Sequence, residues 1–469
     1  MSAKRDLPRF SLMPLVALLL LPHARAADPP LRLQAGPHLL LDDFLIEKSE
    51  GLTRTLTTPR RQLANPVVTG LEDKNSQPYC TVLRDDQTGR FRIWYDATYA
   101  GGLGLGTLRS SDGIRWERPH RILKEPPGPC YGASILDDAA RTRDPDHRYK
   151  LVYSDGGPMW MAHSADGLAW KRDRRPALEG SSVSDRVGLT WDPLRGRYLA
   201  LVGMPSTPAD GFKGRTPNAP EGNRRCVGQS TSKDALTWEK PRYIFKPDVQ
   251  DEGVTEFYSI AGVLPRGGLL IGLLKVLRDD LPCDPGGPVQ GIGYTVLAWT
   301  RDGETWQRDR RPFLDRNPEK GAWDHAMAWG DCQLPVGDEV YLYYGGYARG
   351  HKVQPTQERQ IGLVRFQRDR YAAREAGSDE GALRTRLLAC DAQALTVNVD
   401  AGKGQLRVQI TDAAGQPFPG FSFSDCKPIT GDSLAAPVRW EKPLSDLRGK
   451  TVRLEFRLRQ ARLFAFEGR

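Results

Sequence analysis

Apolar and aromatic residues along this chain gather in short runs, separated by turn residues, with no sustained heptads. The runs Phe91–Tyr95, Tyr149–Tyr153, Tyr198–Val202, Leu269–Leu274 and Val340–Tyr344 read as strands, each after an inner segment of the kind seen at Pro78–Leu83. A further strand then carries a box and ends on a tryptophan. The four boxes are Ser110–Trp116, Ser164–Trp170, Ser232–Trp238 and Thr300–Trp306. In each, the Asp and the Ser or Thr can close a tight turn on backbone N–H groups. A Gly in three of the four supplies the positive φ, and the Trp plugs a hydrophobic layer. The box aspartates are therefore structural.

The spacing sets the architecture. Asp112, Asp166, Asp234 and Asp302 stand 54, 68 and 68 apart, and a degenerate fifth copy, Gln367–Tyr371, follows 67 beyond. Five four-stranded units of this size predict an all-β chain folded as a five-bladed β-propeller, whose radial closure removes exposed sheet edges. Leu39–Ile46 is the expected closing strand, pairing with the last blade. After about residue 380 the boxes stop, and Leu395–Val399, Leu406–Ile410, Val438–Trp440, Val452–Phe456 and Leu463–Phe466 predict a β-sandwich. Arg374–Gly381, charged and Gly-containing, reads as the linker. The expected organisation is a signal peptide at 1–26, the propeller at 27–375 and the sandwich at 383–469.

Composition agrees: 48 Gly and 36 Pro among 469 residues suit a turn-rich β protein, and 11 Trp, 15 Tyr and 14 Phe exclude disorder. The formal charge of +9 overstates the basic character. Lys4, Arg5 and Arg9 precede the apolar run Leu12–Leu21, and Ala24-Arg25-Ala26 follows as a cleavage site, the layout of a secretory signal peptide. Its removal takes away a net +3 and leaves +6, scattered along the chain, which does not argue for a nucleic-acid partner. No second long apolar run exists, so no integral membrane segment is expected after cleavage, and the expected location is periplasmic or secreted. The seven cysteines lack C-x-x-C spacing and read mainly as small buried hydrophobes, with one or two disulfides open. Neither a metal site nor a cofactor is expected.

A propeller's functional site lies at the channel end that the inner strands enter. Acidic residues open four of those strands: Glu72 and Asp73 the first, Asp185 the third, Glu256 the fourth and Asp324 the fifth. Carboxylates converging from separate blades suit glycosidic cleavage, which needs a proton donor and a base or nucleophile flanking the bond. Trp160, Tyr258, Trp323 and Trp329 can stack on sugar faces, or pack in the core. His325 and His351 can hydrogen-bond a ligand, and Arg186 can bind a hydroxyl or carboxylate or make a salt bridge. Asp42 and Asp43, on the expected closing strand, read as structural. No G-x-S-x-G elbow, P-loop or dinucleotide fingerprint is present.

The segments Leu41–Glu47, Asp144–Lys150, Tyr343–Gly346 and Asp425–Ser433 together resemble bacterial exported proteins similar to family 32 glycoside hydrolases. The resemblance implies a propeller shared with families 43 and 68, followed by a sandwich. It also implies three channel carboxylates: by blade position Glu256 as proton donor, Asp185 as orienting group, and Glu72 or Asp73 as base or nucleophile. The N-P-N-G type signature of fructan hydrolases is absent, and Arg143-Asp144-Pro145 falls in a hairpin, so fructoside cleavage is not implied. Two functions stand at this point: an exported glycoside hydrolase acting on a poly- or oligosaccharide, and a non-catalytic carbohydrate-binding propeller. A sialidase fits less well, lacking a sixth blade and an arginine triad.

Overall fold

The computed structural model describes residues 30–61, 66–99, 102–124, 130–179, 186–213, 222–351, 353 and 358–469; the leader read at 1–26 lies outside them. The fold is all-β. Blade one is a four-stranded antiparallel meander of Asn75–Arg84, Phe91–Tyr99, Gly102–Ser110 and Glu117–Ile122. The inner strands of the next four blades are Tyr131–Asp137, Gly188–Asp192, Thr255–Arg266 and Met327–Val336. Each inner strand touches its two neighbours, and the fifth returns to the first, so the sheets form a closed ring.

One hydrophobic cluster fills each junction between blades. In four of the five a box tryptophan is the plug: Trp116 between blades five and one, Trp170 between one and two, Trp238 between two and three, and Trp306 between three and four. Tyr371 of the degenerate copy takes that place between blades four and five, against Phe313 and Phe366. Burying a large apolar side chain is worth about 1.5–3 kcal/mol. The turn chemistry repeats too. Asp112 Oδ1 accepts from the N–H of Ile114 and of Arg115, both at 2.8 Å, while Ser110 Oγ accepts from Gly113 at 2.9 Å. Gly113 sits at φ +74°, where a Cβ would strike Tyr343 and Phe91, whereas Ala235 holds φ +61° in the third box.

Closure differs from the sequence expectation. The outer strand of blade five is Arg60–Arg61, antiparallel to Arg359–Gln367, and not Leu39–Ile46. The apolar character of that earlier segment sends it elsewhere: Leu39, Leu40, Leu41 and Leu45 are buried between the propeller and the C-terminal sheets. His38–Leu39 pairs with Ala461–Gly468, and Ile46–Glu50 with Gly381–Thr385. Asp42 is structural, as expected, with its carboxylate on Arg301 at 2.7 Å and on the Trp299 ring N–H at 3.0 Å. The expected linker is also corrected: Ala372–Ala376 is a strand between Thr53–Leu56 and Ala461–Gly468, because Ala372, Ala373 and Ala376 are buried. In the C-terminal region the long strand Leu395–Thr411 lies in one 11-stranded sheet and has successive partners. Its first part pairs with Ala461–Gly468, its second with Thr451–Arg459. The sandwich core, including Val399, Leu406, Val408 and Phe456, lies within. All seven cysteines are buried free thiols, so the open question of disulfides resolves against them.

The channel is filled by charge. Asp331, mid-strand in blade five, takes Arg186 in a two-point pair, Nε to Oδ1 at 3.1 Å and Nη2 to Oδ2 at 2.9 Å. It also accepts from Lys275 Nζ of blade four and from the Cys80 backbone N–H of blade one. Arg186, entering blade three, spends its other donors on the carbonyls of Cys80, Gly132 and Ala133. All five blades therefore meet in one fully buried knot. Removing one partner of a buried pair costs about 3–5 kcal/mol, since the opposite charge stays buried unpaired. Asp331→Asn is expected to lower unfolding free energy by that amount in urea titrations. Arg90→Ala, at the exposed pair with Glu117, is expected to cost under about 1 kcal/mol.

Candidate functional site

The box hairpins close one end of the ring, and the long connections lie at the other, where the inner strands begin. At that end Glu256 is the second residue of its strand and is 1% exposed. Its Oε2 accepts from the Arg225 backbone N–H at 2.9 Å and from Arg225 Nη1 at 3.2 Å, while its Oε1 is buried without a hydrogen-bond partner. The Arg225 guanidinium lies 4.9 Å over the Tyr258 ring. Tyr258 in turn packs 4.6 Å from Trp329 and 5.4 Å from His351. Four residues singled out in the sequence, Glu256, Tyr258, Trp329 and His351, thus come together, with Arg225 linking Glu256 to Tyr258. Tyr258 and Trp329 are buried, so neither offers an open face to a sugar.

Asp73 and Asp324 serve another purpose. Each precedes an inner strand and reaches an arginine on the outermost strand of its own blade: Asp73 to Arg118 at 2.7 Å, Asp324 to Arg61 at 3.0 Å. Asp251 repeats the pattern in blade four with Arg308 at 2.6 Å. These are clamps between the inner and outer edges of a blade. Asp73 also accepts from the Thr69 N–H, and Asp324 from the Tyr344 hydroxyl. Glu72, at 62% side-chain exposure, pairs with the same Arg118 at 2.9 Å on the surface. Asp185 lies outside the described residues.

The remaining candidates disperse. Trp160 carries Arg172 stacked at 3.4 Å, with that guanidinium paired to Asp155. Trp323 packs on Tyr344 and on the bare backbone of Gly346 and Gly362. Arg186 is corrected from ligand binding to the axial knot, where its donors are already committed. His325 turns away to Asn317 and Asp284.

A further carboxyl escaped the sequence reading. Asp96, fully buried in blade one, accepts from the Gly132 N–H at 2.9 Å through Oδ2, and its Oδ1 has no partner. Burial pushes its pKa up to about 7, against the opposing pull of the Gly132 amide and Arg186. The signal was an acid inside the otherwise apolar run Phe91–Ala97. Lys275, lowered to about 8 mainly by burial, is the same kind of signal in Leu269–Val276.

No protein-family model matches the chain, and no curated protein matches it. Solved structures do. A glycoside hydrolase aligns at TM-score 0.45 and 14% identity, over 68% of this chain and 92% of its own. An N-acetylgalactosamine deacetylase from F. plautii, in complex with blood group B trisaccharide, aligns at TM-score 0.44 and 13% identity, over 68% and 97%. A structure from the GH130 family of mannoside phosphorylases, described as containing glycoside hydrolases that target β-1,2-mannosidic linkages in Candida mannan, aligns at TM-score 0.42 and 16% identity, over 70% and 96%.

A carboxyl raised from 3.8 to about 7 favours folding fully below the lower value and loses that contribution as pH rises through the upper. Asp96→Asn lacks this dependence. The wild type is therefore expected to lose stability relative to the variant between about pH 4 and 7, with the gap constant above, as read from urea midpoints at each pH.

Proposed function

We propose that the chain is an exported glycoside hydrolase that works at the strand-start end of its channel, with Glu256 as a reacting carboxyl. The observation that carries this reading is the state of Glu256: a buried carboxyl with one oxygen fixed by Arg225 and the other uncommitted, beside Tyr258 and His351. Glycosidic cleavage needs a second carboxyl in the opposite protonation state. Asp96 supports that role, since its Oδ1 is buried without a partner and burial holds its proton to about pH 7. On this assignment Asp96 is the proton donor and Glu256 the base or nucleophile, the reverse of the role the family resemblance implies for Glu256. Export rests on the leader at 1–26, and a carbohydrate is the partner.

One observation favours the second reading, a carbohydrate-binding propeller without catalysis. Two of the four described acids singled out at the strand starts, Asp73 and Asp324, are spent on clamps. A glycan panel separates the two readings. The wild type is expected to cleave at least one glycan, and Glu256→Gln to lower kcat by about 10²–10⁴-fold with KM little changed. Binding without cleavage by the wild type would establish the second reading, and undiminished cleavage by Glu256→Gln would remove Glu256 from the chemistry.

A further inference from the structure

The loop between the second and third strands of blade four carries Cys283 and Asp284, and the connection into blade five carries His325. The chain brings these together across 41 residues. One donor atom from each, a sulfur, a carboxylate oxygen and an imidazole nitrogen, lies within 4.8 Å of the others.

The surroundings hold the three in place. Arg316 Nη1 donates to the backbone carbonyls of both Cys283 and His325, each at 3.0 Å, so one guanidinium ties the two segments. The Asp284 turn is closed by the Gly287 N–H on the Asp284 carbonyl at 3.0 Å. The imidazole is oriented by Nδ1, which donates to the Asn317 carbonyl at 2.8 Å. With Nδ1 donating, Nε2 faces Asp284 Oδ1, 3.2 Å away, and in a ring with a single proton it presents its lone pair there. Two acceptors at that separation need a positive charge between them or a second proton on the ring. A backbone carbonyl on the far ring nitrogen is also how metal-binding histidines are commonly oriented. Cys283 and His325 are buried, while Asp284 opens onto a cavity of about 440 Å³ lined also by Gln290, Lys320 and Arg349.

We propose that Cys283, Asp284 and His325 bind a divalent transition-metal ion of the Zn²⁺ type, with its fourth position open to this cavity. The donor chemistry sets the class: sulfur and imidazole suit zinc and its first-row neighbours, whereas magnesium and calcium take oxygen. Three protein ligands with an open position make a site able to take a water or a ligand oxygen from the cavity. The proposal is independent of the role of Glu256. Lys320 Nζ, 3.7 Å from Asp284 Oδ2, is the competing cation, largely exposed and free to swing away.

Co²⁺ added to the purified, metal-stripped protein tests the site, because a thiolate ligand gives a charge-transfer band that oxygen and nitrogen donors do not. The expected result is one Co²⁺ per chain with that band, displaced by Zn²⁺. Cys283→Ser is expected to lose the band, and His325→Gln and Asp284→Asn to lose stoichiometric binding. Lys320→Ala, which removes only the competing cation, is expected to bind more tightly and guards against variants that fail to fold. No band in the wild type, or a band that survives Cys283→Ser, would overturn the proposal. So would a His325 ring shown by NMR to be doubly protonated in the presence of Zn²⁺, since the second proton then holds the place of the metal.

Discussion

Asp331 is the residue on which the ring converges. It sits on the propeller axis with no access to water and draws in a guanidinium from the start of blade three, an ammonium from blade four and a backbone N–H from blade one. Arg186 extends the knot to blade two through the carbonyls of Gly132 and Ala133. Such a cluster adds little net stability over a well-packed apolar plug, because removing several charges from water is costly. Its effect is geometric. Among the described residues, the five blades share no strand pairing except where blade four meets blade five through Gly293 and Met327. Apolar contacts between the other faces can slide. Directional bonds to Asp331 and Arg186 tie the five blades together in height and rotation around the axis.

The outer parts of the ring follow the same division between apolar filling and polar registration. Trp116, Trp170, Trp238, Trp306 and Tyr371 fill the junctions, and the box turns set the angle at which each ring enters. The clamps Asp73–Arg118, Asp251–Arg308 and Asp324–Arg61 then join the inner edge of a blade to its outer edge. The Asp324–Arg61 clamp has a second duty. Arg60–Arg61 is only two residues long, and its few backbone bonds would hold the closing strand weakly without the side-chain anchor.

How far the sequence could be read follows from how local each feature is. The boxes were legible because every bond in them spans two or three residues, as did the strand runs beside them. The clamps were not, since the partner of Asp73 stands 45 positions away and that of Asp324 stands 263 away. An acid before a strand looks the same whether it faces a ligand or an arginine. Closure was misread for a related reason: Leu39–Ile46 announces burial without naming its sheet, while two arginines announce nothing. Glu256, Tyr258 and His351 were found because they stand at strand starts or on a long connection. Asp96, Lys275 and Asp331 left a fainter sign, a lone charge in an apolar strand, which means burial and therefore a partner or a held proton.

The two ends of the ring differ in what their connections permit. At the box end, the box turns are locked by side-chain bonds to their own backbone, which leaves no room for variable chemistry. At the other end the connections are longer, and chemistry concentrates on such segments when a rigid scaffold positions them. Glu256 with Arg225, and Cys283 and Asp284 with His325, both lie there, and both stand beside blade four. The elements that hold them are also the ones the axial knot fixes: Lys275, on the strand that carries the chain into the Cys283 loop, pairs with Ser259, three residues beyond Glu256. The buried charge at the axis therefore sets the height of the strands from which both sites are built, and the placement of the reactive groups follows from the closure of the ring.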